Sequence, residues 1–103
     1  MSNRRANPTR DYWRGRQVVY RCYDADEVLL YVGVSGDVCE RLAQHRRAST
    51  WFKDTARTVL KVYPRRLDAS RAELAAIRSE RPLHNIRHAP GWVEPRWARR
   101  KGA

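Results

Sequence analysis

Two runs of sequence decide the fold: Gln17-Val-Val-Tyr-Arg-Cys-Tyr23 and Val28-Leu-Leu-Tyr-Val-Gly-Val34, joined by Asp24-Ala25-Asp26-Glu27. Both runs are rich in β-branched and aromatic residues, which favour a pleated, half-buried strand. The short polar link between them predicts an antiparallel hairpin. Downstream, Ser35-Gly36-Asp37 breaks the second strand. Asp37 followed by Glu40 has the form of a helix start, a carboxylate cap with a capping-box partner, and the helix is expected to run to about Arg47. Thr58 to Tyr63 alternates and predicts a third strand, closed by Pro64. Asp68 is expected to cap a second helix that reaches Glu80 and ends before Pro82. The predicted order β-β-α-β-α belongs to the α/β (α+β) class, a small three-stranded antiparallel sheet flanked by helices.

The chain has 103 residues, room for one compact domain with a modest core. Three zones follow from its composition. Residues 1–17 form a basic N-terminal arm, with Arg4, Arg5, Arg10, Arg14 and Arg16 against Asp11. Residues 18–86 hold the aliphatic periodicity and 9 of the 11 acids, and form the folded domain. Residues 87–103 are a basic tail carrying Trp92 and Trp97, with a short helix expected after Pro90. Cys22 and Cys39 lack metal-site spacing and read as ordinary buried or half-buried thiols.

The net charge is +11 and the sequence pI about 10.8, and nearly all the cations are arginine. Arginine suits planar, bidentate recognition of phosphate, so nucleic acid is the expected partner. An anionic membrane surface is disfavoured, since no long amphipathic helix sets bulky apolar residues against a basic face. No apolar run approaches the ~20 residues needed to cross a bilayer. The polar, basic N-terminus is unlike a secretory signal, and the expected location is the cytoplasm.

Chemistry-bearing residues concentrate in the middle zone. On the second helix, at about 100° per residue, Glu73 lies on the stripe of Ala69, Ser70, Ala76 and Ile77. An inward carboxylate must be ion-paired, hydrogen-bonded or metal-bound. On the first helix Arg41 and His45 share a face beside Val38 and Leu42, while Arg46 and Arg47 point to solvent. Tyr20 and Tyr31 are placed to share one sheet face. Gly33, inside a β run, marks either a bulge or a close backbone approach. A tight exit from that strand would bring Ser35 and the helix N-terminus, with its free N–H groups, to the same surface.

Val18-Val19-Tyr20, then Tyr31-Val32-Gly33 eleven residues after Tyr20, resembles the paired tripeptides of the GIY-YIG nuclease superfamily, with Val-Val in place of Gly-Ile. Arg41 stands eight residues after Gly33, where the family has an arginine, and His45 follows one turn later, as in several members. Glu73, Pro82 and Asn85 fill the places of the family's metal-binding glutamate and of the asparagine about twelve residues on. His84 occupies a position where tyrosine is common. The resemblance covers residues 17–86 and implies metal-dependent hydrolysis of nucleic acid, DNA before RNA, with a GIY-YIG-like fold.

The resemblance gives Glu73 the metal, and a single carboxylate holding Mg²⁺ or Mn²⁺ leaves the ion most of its waters. Arg41 offers a planar fork to the non-bridging phosphate oxygens. Two assignments stay open for the base: Tyr20, with Tyr31 and His45 orienting or relaying, or His45 itself. Asn85 fixes geometry or simply serves a turn after Pro82. Gly33, Ser35, Arg14, Arg16, Arg46 and Arg47 are the expected nucleic-acid contacts. Trp13, Trp51, Trp92 and Trp97 either stack on bases or pack on the core. Sequence specificity is expected to be low, and a monomer and a homodimer are both compatible with the chain. The rival reading is a non-catalytic nucleic-acid-binding module with a degenerate nuclease fold.

Overall fold

The computed structural model describes residues 16–86 and Val93. Arg14, Trp13, Trp92, Trp97 and the helix expected after Pro90 lie outside the described residues. Within them the order is β1 (Gln17–Tyr23), β2 (Leu29–Ser35), α1 (Val38–Ala48), a 3₁₀ turn (Phe52–Asp54), β3 (Arg57–Tyr63) and α2 (Arg66–Glu80). The protein is an α+β fold around a three-stranded antiparallel sheet ordered β2-β1-β3.

β1 is the central strand and is covered on both faces. Val18, Tyr20 and Cys22 point into a core closed by Val38 of α1 and by Trp51. Val19, with Val32 of β2, points into a second core closed by Ala69, Ala76 and Ile77 of α2. All four of these β1 residues have 0% exposure, which explains why the run reads as continuously apolar rather than alternating. Each buried valine contributes about 1.5–3 kcal/mol of hydrophobic stabilisation.

The hairpin turn is organised by Asp24, whose Oδ1 accepts from the N–H groups of Asp26 (2.8 Å) and Val28 (2.9 Å). Glu27 takes the left-handed φ of 66° that closes this turn. Pairing then slips between Cys22 and Tyr23, so that Tyr23 faces Leu29 while Cys22 faces Tyr31. Leu30 is the extra residue of this bulge, and both Leu30 and Tyr31 consequently pack on the Tyr20 side.

Four local expectations need correction. Asp37 does cap α1, accepting from Glu40 N–H at 3.2 Å, but the reciprocal arm of the capping box is absent. The Asp37 N–H donates instead to Ser35 Oγ, and the Glu40 carboxylate accepts from Gln44 one turn on and pairs with Arg47 two turns on. Helix α2 starts at Arg66, two residues before the expected cap. Asp68 lies inside its first turn, beside Arg65 Nε at 3.8 Å, where a carboxylate favours the helix dipole without capping it. Ser70 is exposed, leaving Ala69, Ala76 and Ile77 as the buried stripe. Cys22 is buried, whereas Cys39 on α1 is exposed.

The outer edge of β2 is closed by the segment after α2. Leu83 and His84 donate backbone N–H groups to the carbonyls of Leu29 (3.1 Å) and Leu30 (2.9 Å). Arg81, in the left-handed region at φ 51°, ends the helix, and buried Pro82 turns the chain onto the sheet. At the same end of α2, Glu80 accepts a fork from Arg21 of β1, with Nε at 2.9 Å and Nη2 at 2.8 Å. No helix among the described residues is long and apolar enough to cross a membrane.

Candidate active site

The antiparallel register sets Tyr20 directly across from Gly33 and its ring over the glycine. A Cβ at position 33 would fall 2.9 Å from Tyr20 Cε1 and closer still to Cζ and Oη. Of the two meanings a strand glycine allows, close approach is the one realised here; the bulge sits at Leu30. Tyr31, paired with Cys22, is the diagonal neighbour of Tyr20 on the same face, with ring centroids 6.1 Å apart. Gly33→Ala is expected to lower stability by roughly 1–3 kcal/mol, because the overlap is with a sealed ring that has nowhere to go. In a domain this small each kcal/mol is about 4–8 °C of melting temperature. A variant melting with the native protein would place the Tyr20 ring elsewhere.

Helix α1 brings Arg41 and His45 to these phenols from one turn. His45 is 5% exposed, and both of its ring nitrogens are engaged. Nε2 meets Tyr20 Oη at 2.8 Å and Nδ1 meets Ser49 Oγ at 2.9 Å. Tyr31 packs edge-on against the His45 ring, and Trp51 tilts against it. Trp51 itself stacks on Tyr31 at 4.8 Å and is 7% exposed, so it belongs to the core rather than to a base-stacking surface. The exposed His84, which stands where the family often has tyrosine, stacks near Trp51 at 6.2 Å.

Arg41 is half-buried and donates through Nη1 to Gln44 Oε1 at 2.9 Å. Burial raises the pKa of Tyr20, with the neighbouring Tyr31 adding to the rise, while the charge and hydrogen bonding of Arg41 oppose it. Burial also raises Tyr31; there Arg41 again opposes and the Glu73 carboxylate adds to the rise. Both phenols therefore stay protonated at neutral pH, since burial outweighs the guanidinium. The same residues fix His45 as neutral imidazole, its pKa lowered first by burial and then by Arg41.

That shift has a measurable sign. The His45 pKa is below its unfolded value of 6.5, so the unfolded chain binds the extra proton first. The contribution to stability is full above pH 6.5 and is lost as pH falls toward the folded value. Denaturation curves of the native protein are expected to lose stability between pH 6.5 and the carboxylate range near 4.5, and those of His45→Gln to lack that slope. Parallel curves would show that the imidazole is solvated.

The remaining predicted residues divide. Glu73 is half-buried on α2 and near enough for its charge to act on the Tyr31 hydroxyl. Asn85 does not face the phenols: its Oδ1 accepts from Val32 N–H at 2.9 Å and its Nδ2 donates to Val32 O at 2.8 Å. It clamps the edge of β2 next to Gly33, a geometric role. Ser35 is occupied by the Asp37 N–H. Arg46 and Arg47 are exposed on α1, with Arg47 3.6 Å from Glu40, and Arg16 is half-buried just before β1. Among the described residues no group of three His, Cys, Asp or Glu could cage a metal. A half-buried Glu73 fits the alternative, a hard cation kept on one carboxylate and otherwise on water and substrate oxygens.

Two members of the site went unread in the sequence. Gln44 holds Arg41 from three residues away, and Ser49 holds His45 from four; helical spacing alone could have flagged both. Comparison of the chain with family models, curated proteins and solved structures gives no significant match.

Proposed function

We propose that the protein is a metal-dependent endonuclease of the GIY-YIG type, hydrolysing phosphodiester bonds of nucleic acid, with DNA the first substrate to test. One observation carries the proposal: Tyr20 Oη is hydrogen-bonded to His45 Nε2 at 2.8 Å with Tyr31 packed beside both rings, and the charges of Arg41 and Glu73 act on these phenols. Five side chains from β1, β2, α1 and α2 thus converge at the motif spacing of that superfamily. Net charge +11 and exposed arginines on α1 and α2 supply attraction for a polyanion.

The roles follow exposure. Tyr31, Arg41 and Glu73 are half-buried and able to meet substrate; Tyr20, at 0% exposure, lies behind them. A cation on Glu73 supplies Lewis-acid stabilisation of the phosphate and leaving oxygen. Phosphate is a strong acceptor for a planar donor fork, so Arg41 takes the non-bridging oxygens while the Tyr20 hydroxyl stays on His45 Nε2. That hydroxyl is held neutral and is a poor base by itself. Its proton passes to His45 Nε2 as it takes one from the attacking water, so Tyr20 and His45 work as one unit. Water adds to phosphorus, the bond to the leaving ester oxygen breaks, and negative charge builds on the non-bridging oxygens, where Arg41 meets it; a cation held by Glu73 would stabilise the leaving oxygen.

The sealed Tyr20 and the lack of a caged metal site among the described residues also suit a non-catalytic nucleic-acid-binding module. One assay separates the two. Supercoiled plasmid, labelled single strands and RNA are incubated with the protein in Mg²⁺, in Mn²⁺ and with chelator. Cleavage that chelator stops is the expected result, with nicked circles from a monomer and linear product from a dimer. Binding without cleavage under every condition would leave only the module.

A further inference from the structure

The hydrogen bonds behind Tyr20 bear on which nitrogen of His45 carries its proton. The Tyr20 hydroxyl is sealed, and among the described residues its hydrogen-bond partner is His45 Nε2. The phenol's own O–H then needs an acceptor in a site with no exposure, and His45 Nε2 at 2.8 Å is that acceptor. A neutral imidazole has one N–H, which therefore sits on Nδ1 and points to Ser49 Oγ at 2.9 Å. Ser49 is well placed to receive it. It caps the C-terminus of α1, where its backbone N–H donates to His45 O at 2.8 Å. Both ends of the residue are thus tied to His45.

We propose that Ser49 is a positioning residue of the site: its Oγ holds His45 in the Nδ1–H tautomer and leaves Nε2 free to take the Tyr20 proton. The inference rests on the nuclease reading for its consequence, but not for its chemistry. When the proton moves, the Tyr20 O–H bond breaks, an Nε2–H bond forms, and the resulting imidazolium donates from both nitrogens. Ser49 Oγ is an acceptor before and after, so the transfer needs no rearrangement on that side. Without the serine, imidazole is free to adopt the Nε2–H form, in which it donates to Tyr20 and accepts nothing. The groups that face His45 are Tyr20 from β1, Tyr31 from β2, Arg41 and Ser49 from α1 and its cap, and the rings of Trp51 and Phe52; among these, Ser49 Oγ is the acceptor within hydrogen-bond distance of Nδ1.

The test uses full-length protein labelled with ¹⁵N in histidine. Long-range ¹H–¹⁵N spectra above pH 7 are assigned by the loss of the His45 signals in His45→Gln. The native protein and Ser49→Thr, which keeps a hydroxyl, are expected to show a protonated Nδ1 and a bare Nε2. Ser49→Ala is expected to shift toward protonated Nε2 and to lower kcat roughly 10-fold with KM unchanged, the scale of losing one orienting hydrogen bond. A protonated Nε2 in the native protein overturns the proposal. So does Ser49→Ala with native ring signals and native kcat. Ser49→Ala that fails to fold leaves the native protein and Ser49→Thr to decide by the same spectra. If the native ring signals are as expected but no nucleic acid is cut, the nuclease reading falls while the Ser49 hydrogen bond stands.

Discussion

Glu73→Gln is expected to reduce metal-dependent cleavage on the order of a thousandfold, the equivalent of about 4 kcal/mol of transition-state stabilisation. The substitution keeps size and removes the carboxylate charge that acts on Tyr31. Among the described residues no group of three His, Cys, Asp or Glu offers an alternative cage. Folding should be little changed, since Glu73 is only half-buried. The same charge adds to the rise of the Tyr31 pKa, so the variant's Tyr31 should ionise more readily in an ultraviolet titration. The two readouts separate loss of the metal from loss of the fold. Equal cutting by the variant and the native protein would mean that the metal sits elsewhere.

Arg41→Lys is expected to cost on the order of a hundredfold in kcat. Charge is conserved in that change and geometry is not. The guanidinium donates to Gln44 and its charge acts on both phenols, and in the proposed reaction its planar fork meets two phosphate oxygens. An ammonium is a point charge with no fork. Salt dependence of binding should be nearly unchanged, since the count of cations is the same. Single-turnover rates with saturating plasmid, alongside binding measured over a salt series, would check both halves. An Arg41→Lys enzyme as fast as the native one would remove the guanidinium from the transition state.

The sequence was informative where local physics is decisive. The hairpin strands, expected at 17–23 and 28–34, are found at Gln17–Tyr23 and Leu29–Ser35, because β-branched runs flanking a polar link leave few alternatives. The α1 start was legible from Asp37, whose short side chain reaches the Glu40 N–H. The end of α2 at Glu80 was legible from Pro82. Its beginning was not: Arg65 is the N-cap with no side-chain bond, and packing of Ala69 on the sheet, rather than a cap, sets where the helix starts. The 3₁₀ turn at Phe52–Asp54 carries no strong local signal either. It follows Trp51, which is anchored against Tyr31, a residue distant in sequence, as well as against nearby His45.

For the site, sequence by itself determined the candidates and their order along the chain, because strand alternation and helical spacing follow from backbone geometry. It also determined that a strand glycine at 33 had to answer a steric demand. Only the tertiary structure decided which demand: the Tyr20 ring lying on the glycine from the neighbouring strand. Only it decided that Tyr20 is sealed while Tyr31 is half-buried, that Asn85 binds Val32 and not the phenols, and that of the helical neighbours of His45 it is Ser49 whose hydroxyl meets the ring. The physical reason is common to all four. Exposure, pKa and hydrogen-bond partner are properties of what surrounds a side chain, and here the surroundings come from β1, β2, α1 and the edge segment packed together, which no single stretch of sequence specifies.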